Sequence, residues 1–179
     1  MEEVVGEFNA YPVAVTTFKV YERAKHVLRE SLRVYYFTLL LITLNYDKID
    51  DDENLPLELL GKWMGESHAS LRDLFECSCP ELDDLVSIAM YTIYLYLLRK
   101  KNQLDRTAGA YGARLTGAGW GGSIIAMVNK SSVAKVMNNL KTEYYDKLFP
   151  EWTTDELRES LFIAEPGSAA FIKTLTKTV

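Results

Sequence analysis

Cysteine is almost absent from this chain of 179 residues: Cys77 and Cys79 are the only two. A single pair so close together closes no useful loop, so a disulfide framework is excluded and a reducing, cytoplasmic setting is expected. Histidine is equally scarce, with His26 and His68 far apart. Two cysteines and two distant histidines do not assemble a zinc site, and no metal ligands are assigned. Basic charge is not in excess: 20 Lys and Arg face 25 Asp and Glu, for a net charge of −5. An acidic balance argues against nucleic acid as a partner. Long apolar runs are missing too. Val34–Leu44 and Leu85–Leu98 both fall short of the roughly 18 residues that a spanning helix needs, so they read as buried helices and no membrane role is expected. The opening residues, Met1–Glu7, are acidic and lack the basic and apolar regions of a signal peptide.

What is present is an ordinary globular composition, 48% hydrophobic and 25% charged. This suffices for one domain with a real core, and no internal repeat or second-domain boundary interrupts residues 1–179. After a lead-in without decisive pattern, a helix starts near Thr17 as a candidate cap. Phe18, Tyr21, Ala24, Leu28, Leu32, Tyr35, Leu39 and Ile42 step by three and four, which predicts the buried stripe of a long helix. Arg23, Lys25, Arg29, Glu30 and Arg33 mostly fall off that stripe and read as a solvated face, with His26 a surface or packing residue. The acidic run 47–54 lacks the glycine and distal glutamate of a calcium loop and reads as a turn. A second helix follows over Leu55–Leu71, with Leu57, Leu60, Trp63, Met64, Ser67 and Leu71 inward. A third opens at Pro80, a favoured first-turn residue, with Glu81, Asp83 and Asp84 complementing the dipole, and runs toward Arg99. A fourth runs from a cap at Ser131 or Ser132 to about Lys147, with Val133, Val136, Met137, Leu140, Tyr144 and Leu148 as its stripe. Residues 155–160 suit a short turn. Two strands fit 161–164 and 169–172 around Pro166-Gly167.

Six of the ten glycines lie between Gly109 and Gly122. Their flanks, Ala113–Thr116 and Ser123–Val128, favour strands. The pattern reads strand, glycine loop, strand. Two readings stand side by side: a bulged hairpin with tight backbone packing, or a concavity of converging N–H groups suited to an anion. No Lys-Ser or Lys-Thr follows the glycines and no helical pattern does either, so neither a nucleotide-triphosphatase loop nor a dinucleotide fold is indicated.

The segment GARLTGAGWGG at 112–122 resembles the third motif of the GHMP kinases, and its tryptophan is similar to that of eukaryotic galactokinases and N-acetylgalactosamine kinases. FKVYERAKHV at 18–27 and GESHASLRDLFECSCPELD at 65–83 resemble further stretches of that branch. So do EYY at 143–145 and FIAEPG at 162–167, all in the family's order. The resemblance implies an α+β fold like the GHMP kinase C-terminal domain, with a four-stranded antiparallel sheet packed by helices. It also implies a sugar kinase that transfers phosphate from ATP, with Mg2+, to the anomeric hydroxyl of galactose or N-acetylgalactosamine. Residues Thr116, Gly117, Ala118, Gly119, Trp120, Gly121 and Gly122 would lie beside substrate and nucleotide phosphates at a domain seam. Trp120 would be a hydrophobic plug or a sugar-stacking surface, and Arg114 would face an anion or form a strand-surface salt bridge. Ser67, His68, Arg72 and Asp73 would border the site. The Ser, His and Asp of this stretch do not read as a hydrolase triad, since no nucleophile elbow accompanies them. Cys77 and Cys79 would pack.

Three family features are not found in these 179 residues: the early arginine-bearing sugar motif, the serine-rich loop that cradles ATP, and the catalytic aspartate. No catalytic residue is therefore assigned in this chain. The expectation is a C-terminal half that lacks its N-terminal kinase domain and is inactive alone. The alternative is a non-catalytic module that senses sugar and ATP or binds a protein. Residues 90–106 form an extra segment relative to the family, either a lengthened helix or translated intron.

Overall fold

The computed structural model describes residues 17–46, 55–98 and 109–164. Helix α1 spans Val20–Tyr46, α2 Leu55–Ser70 and α3 Pro80–Leu98. A π turn, Leu71–Phe75, prolongs α2, and Glu76 then reverses the chain in the left-handed region, φ 59°. Strands β1 (Ala110–Thr116) and β2 (Ser123–Val128) form an antiparallel hairpin running from Ala110 opposite Val128 to Thr116 opposite Ser123, with a bulge at Tyr111. Helix α4, Val133–Leu140, continues through a second π turn, Lys141–Tyr145, into a last turn ending at Leu148. Helix α5 spans Thr154–Ser160.

Strand β1 is the buried spine. Nearly every residue from Ala110 to Leu115 is buried, as befits a strand covered on both faces. Its pairing with α2 is a backbone-to-backbone approach: a Cβ on Gly61 would stand 2.1 Å from the Tyr111 carbonyl oxygen, and one on Gly112 would stand 2.2 Å from the Gly61 oxygen. No side chain fits between helix and strand there. Ala110 and Ala113 join Leu85, Val86 and Ala89 of α3 and Val136, Leu140 and Tyr144 of the α4 rod in one core cluster. Leu115 joins Leu71, Cys77 and Leu82 in another.

The hairpin, the inward set of α2 and the Pro80 helix start lie where the sequence puts them. Several expectations need correction. Helix α1 presents the opposite face: Phe18, Tyr21, Leu28, Leu32, Tyr35, Leu39 and Ile42 are exposed. The face turned inward carries Arg23, His26, Glu30 and Arg33, then Phe37, Leu40 and Leu44. The polar residues pack because partners meet them: Glu30 accepts from Arg33 and Arg114 at 2.7 Å and from the Ser67 hydroxyl at 2.6 Å. The helix begins at Val20 rather than at a Thr17 cap. The α4 rod is introduced by Asn129, whose side chain accepts the Ser131 N–H at 3.0 Å, so neither serine is the side-chain cap. The π turn re-aims the helix face, so Tyr144 is buried while Leu148 is exposed. Residues 154–160 form a capped helix, with Thr153 and Glu156 exchanging bonds in a capping box. Leu161 is extended and packs on the core, yet no described strand pairs with 161–164, and 169–172 lie outside the described residues. The described sheet therefore has two strands. The N-terminal lead-in, the acidic turn 47–54, Pro166-Gly167 and residues 99–106 also lie outside. The first part of the extra segment, from Met90 to Leu98, continues α3.

Candidate functional site

The glycine loop joins β1 to β2 at the end of the spine. Its backbone occupies a region hostile to side chains: φ is 81° at Gly117, 87° at Gly119, 136° at Gly121 and 89° at Gly122, and Trp120 itself stands at 55°. Gly119 is the closest approach, because a Cβ there would sit 2.1 Å from the Cys77 carbonyl oxygen. Trp120 completes the clamp. Its backbone N–H donates to Cys77 O at 2.6 Å, and its indole Nε1–H donates to Glu76 O at 3.2 Å. The indole is otherwise 67% exposed. Trp120 therefore fixes the loop through hydrogen bonds and is not a hydrophobic plug, and its free ring face is left to solvent.

The Glu76–Cys77 turn is in turn held by α1. Lys19 and Arg23 pair with the Glu76 carboxylate, Arg23 at 2.8 Å. Arg23 also donates to the Leu74 carbonyl and lies 5.6 Å over the Phe75 ring. The two cations hold the exposed Glu76 carboxyl below its ordinary range. Three stretches that are remote in sequence thus meet: the start of α1, the 65–83 segment and the glycine hairpin.

Thr116, Gly117, Ala118, Gly119, Trp120, Gly121, Gly122 and Ser123 together line an open concavity of about 600 Å³. Ser123 is an addition to the residues expected from sequence. The lining offers two hydroxyls, backbone amides and no cationic or acidic side chain. Such a surface can approach a phosphate closely but cannot neutralise it.

The bordering residues separate into two groups. His68 is 4% exposed, and its Nδ1 accepts the Leu115 N–H at 3.3 Å, one residue before the loop begins. Its Nε2 lies 3.0 Å from Asp83 Oδ1, although the two are not aligned as a full hydrogen bond. Burial lowers the His68 pKa, and attraction to Asp83 offsets this only in part. Arg114 pairs with Glu30 at 2.7 Å and donates to the Leu115 carbonyl, which makes it a strand salt bridge in this chain. Ser67 turns to Glu30. Arg72 and Asp73 pair with each other on the surface at 2.7 and 3.1 Å. Ser67, His68 and Asp73 have separate partners, so no triad forms. His26 packs: it is buried against Ser70 Oγ at 2.9 Å and against the Phe75 ring. Cys77 is buried and Cys79 half-buried, both as free thiols.

Sequence reasoning missed Gly61, Glu30 and the anchoring carbonyls of Glu76 and Cys77. Gly61 carries no signal apart from being a glycine in a helix, and a carbonyl's role is invisible in its side chain. Among the described residues no group of His, Cys, Asp or Glu could hold a metal ion, and no helix is long and apolar enough to cross a membrane.

Residues 101–147 match the family described as GHMP kinases C terminal. Along most of its length the chain is similar to galactokinases. It is 36% identical to that of Saccharomyces cerevisiae over 159 residues, covering 87% of this chain and 26% of the relative. It is 35% identical to that of Candida albicans over 169 residues, covering 93% and 30%. It is 37% identical to that of Dictyostelium discoideum, covering 82% and 28%. The chain thus spans little more than a quarter of the length of these relatives, and it matches their C-terminal part. By its motif order, its hairpin and these matches, the chain belongs to the GHMP kinase family, as a C-terminal domain of the galactokinase type.

Proposed function

We propose that this chain is the C-terminal half of a galactokinase-like sugar kinase in the cytoplasm. It serves ATP-dependent phosphorylation of galactose or N-acetylgalactosamine at the anomeric hydroxyl. A preceding N-terminal domain supplies the catalytic groups, the metal ligands and most contacts to both substrates. The observation that carries the reading is the clamped glycine loop, Gly119 set against the Cys77 carbonyl and Trp120 tied at both N–H groups. A transferring phosphoryl group is stabilised mainly by fixed dipoles and by positioning. A wall of backbone held by its neighbours suits that task, since it needs no reorganisation as charge develops. In the complete enzyme Thr116 to Gly122 border the phosphates and sugar, with His68 supporting the loop. Ser67, Arg72, Asp73 and Arg114 serve the frame of the domain.

Magnesium does not fit the residues described here, because no acidic group faces the loop. No step of the reaction is assigned to it in this chain, and the chain alone is inactive. In the complete domain the hairpin is part of a four-stranded antiparallel sheet, and the first part of the extra segment, Met90 to Leu98, lengthens α3.

A second reading, a non-catalytic module that binds a protein or senses sugar and ATP, draws on the exposed apolar face of α1. The nucleotide sequence immediately upstream separates the two. The kinase reading expects an adjoining frame that encodes the arginine-bearing sugar motif, the serine-rich phosphate loop and the catalytic aspartate. A stable transcript that begins at Met1 and lacks such a frame would favour the module.

A further inference from the structure

We propose that His68 is the positioning residue of the glycine loop, a neutral imidazole protonated at Nε2 alone that pins the last buried residue of β1 to α2 and turns its Nε2 toward the start of α3. The inference rests on the loop reading for its consequence, but its evidence is independent of it. A backbone N–H can only donate, so the Leu115 N–H, 3.3 Å from Nδ1, requires a bare lone pair there. The proton of the neutral ring is then on Nε2, which lies 3.0 Å from the Asp83 carboxylate. That carboxylate is itself fixed by the Ser78 hydroxyl at 2.6 Å. The ring therefore spans three elements: its own helix α2, strand β1 at Leu115, and the first turn of α3 at Asp83.

The position matters because Leu115 is the last anchored residue before the concavity. Its side chain is 1% exposed, and Thr116 beyond it is exposed. At its other side the loop is held by the Cys77 and Glu76 carbonyls. His68 supplies the hold on the β1 side. A second proton on Nδ1 would remove the acceptor and set an N–H against an N–H. The charged groups around the ring pull in opposite directions. Asp83 favours the imidazolium, whereas Arg72 and Arg114 oppose it, and burial opposes it most. Asp73, beside Arg72, feels the same ring.

Asparagine and glutamine variants divide the two functions of the ring. Asparagine places Oδ1 where histidine has Nδ1, and glutamine places its amide near Nε2. The test uses the 15N-labelled 179-residue chain without nucleotide. Long-range proton–nitrogen correlation reads the tautomer, and amide exchange reads Leu115. Expected are a neutral His68 with the proton on Nε2 at pH 7, exchange at Leu115 within a few-fold of the parent in His68→Asn, and exchange about tenfold faster in His68→Gln. A proton on Nδ1, or an imidazolium at pH 7, overturns the proposal. So does equal behaviour of the two variants. Should a variant fail to fold, the tautomer of the parent chain decides alone. Failure here would leave the kinase reading to its own test, and loss of the kinase reading would leave this tautomer in place.

Discussion

At the scale of single residues, glycines of one chain carry opposite expectations. Gly119 combines φ 87° with a carbonyl oxygen 2.1 Å from any added Cβ. Gly119→Ala should therefore destabilise the chain by about 3 kcal/mol or more, through backbone strain and a contact that neither side can relieve. Gly65 lies within α2 with open space around it, and Gly65→Ala should stabilise by about 0.5–1 kcal/mol. Urea unfolding of both variants checks the pair, and a similar effect in the two would contradict it. The histidines set a pH dependence. Burial lowers the pKa of both His26 and His68 in the folded chain. The unfolded chain then binds protons first, so stability should fall as pH drops below about 6.5, before the carboxylates titrate. Unfolding midpoints between pH 8 and pH 5 measure this, and His68→Asn should flatten the slope. The glycine cluster was legible at this scale because positive φ leaves its mark in residue type. The carbonyls that grip it were not, since every residue has one.

At the scale of elements, α1 shows where periodicity runs out. Its apolar positions do recur at helical spacing, but so do Arg23, His26, Glu30 and Arg33 on the other face. Hydropathy alone ranks the first set as the core. The second set turns inward because each member finds a partner there: Arg23 at Leu74 and Glu76 beyond α2, His26 at Ser70, Glu30 at Ser67 and Arg114, and Arg33 at Glu66. Glu30 is the hub. Burial pushes its carboxyl up, while the Ser67 hydroxyl, Arg114 and Arg33 outweigh that and hold it below the ordinary glutamate range. The stability it contributes is present above about pH 4.3 and is lost as pH falls through the depressed folded value. Glu30→Gln leaves Arg114 without its carboxylate and Arg33 with Glu66 alone at 3.8 Å, and should cost about 2–4 kcal/mol, with α1 amides losing exchange protection first. Uniform loss across the hairpin and α1 together would contradict the hub. The hairpin and the α2 inward set, by contrast, were legible, the first from β-prone flanks on either side of a glycine cluster and the second from a stripe that meets an apolar neighbour. Residues 161–164 read as a strand from local pattern, yet no described strand pairs with them, because pairing depends on a neighbour that local pattern cannot supply.

At the scale of the whole molecule, an exposed apolar face and an open loop point the same way. Tyr21, Leu28, Leu32, Tyr35 and Leu39 stand in solvent along one side of α1. Contiguous apolar surface of this kind marks an interaction site. The 179-residue chain should self-associate with rising concentration, and a Leu28→Glu, Leu32→Glu double variant should reduce this without lowering the unfolding midpoint. Sedimentation velocity across a concentration series checks it, and equal association of both proteins would count against the face. The family was legible because five motif stretches keep their order. That Lys19 and Arg23 at one end of the chain brace the glycine loop through Glu76 was not, because it needs the fold. The most direct measurement is galactose-dependent ATP turnover by the 179-residue chain alone and joined to the N-terminal part of the Saccharomyces cerevisiae galactokinase. A loop that is one wall of a site completed elsewhere predicts no turnover alone, turnover when joined, and its loss with Gly119→Ala. Turnover by the chain alone, or a folded joined protein that ignores the Gly119 change, would contradict it.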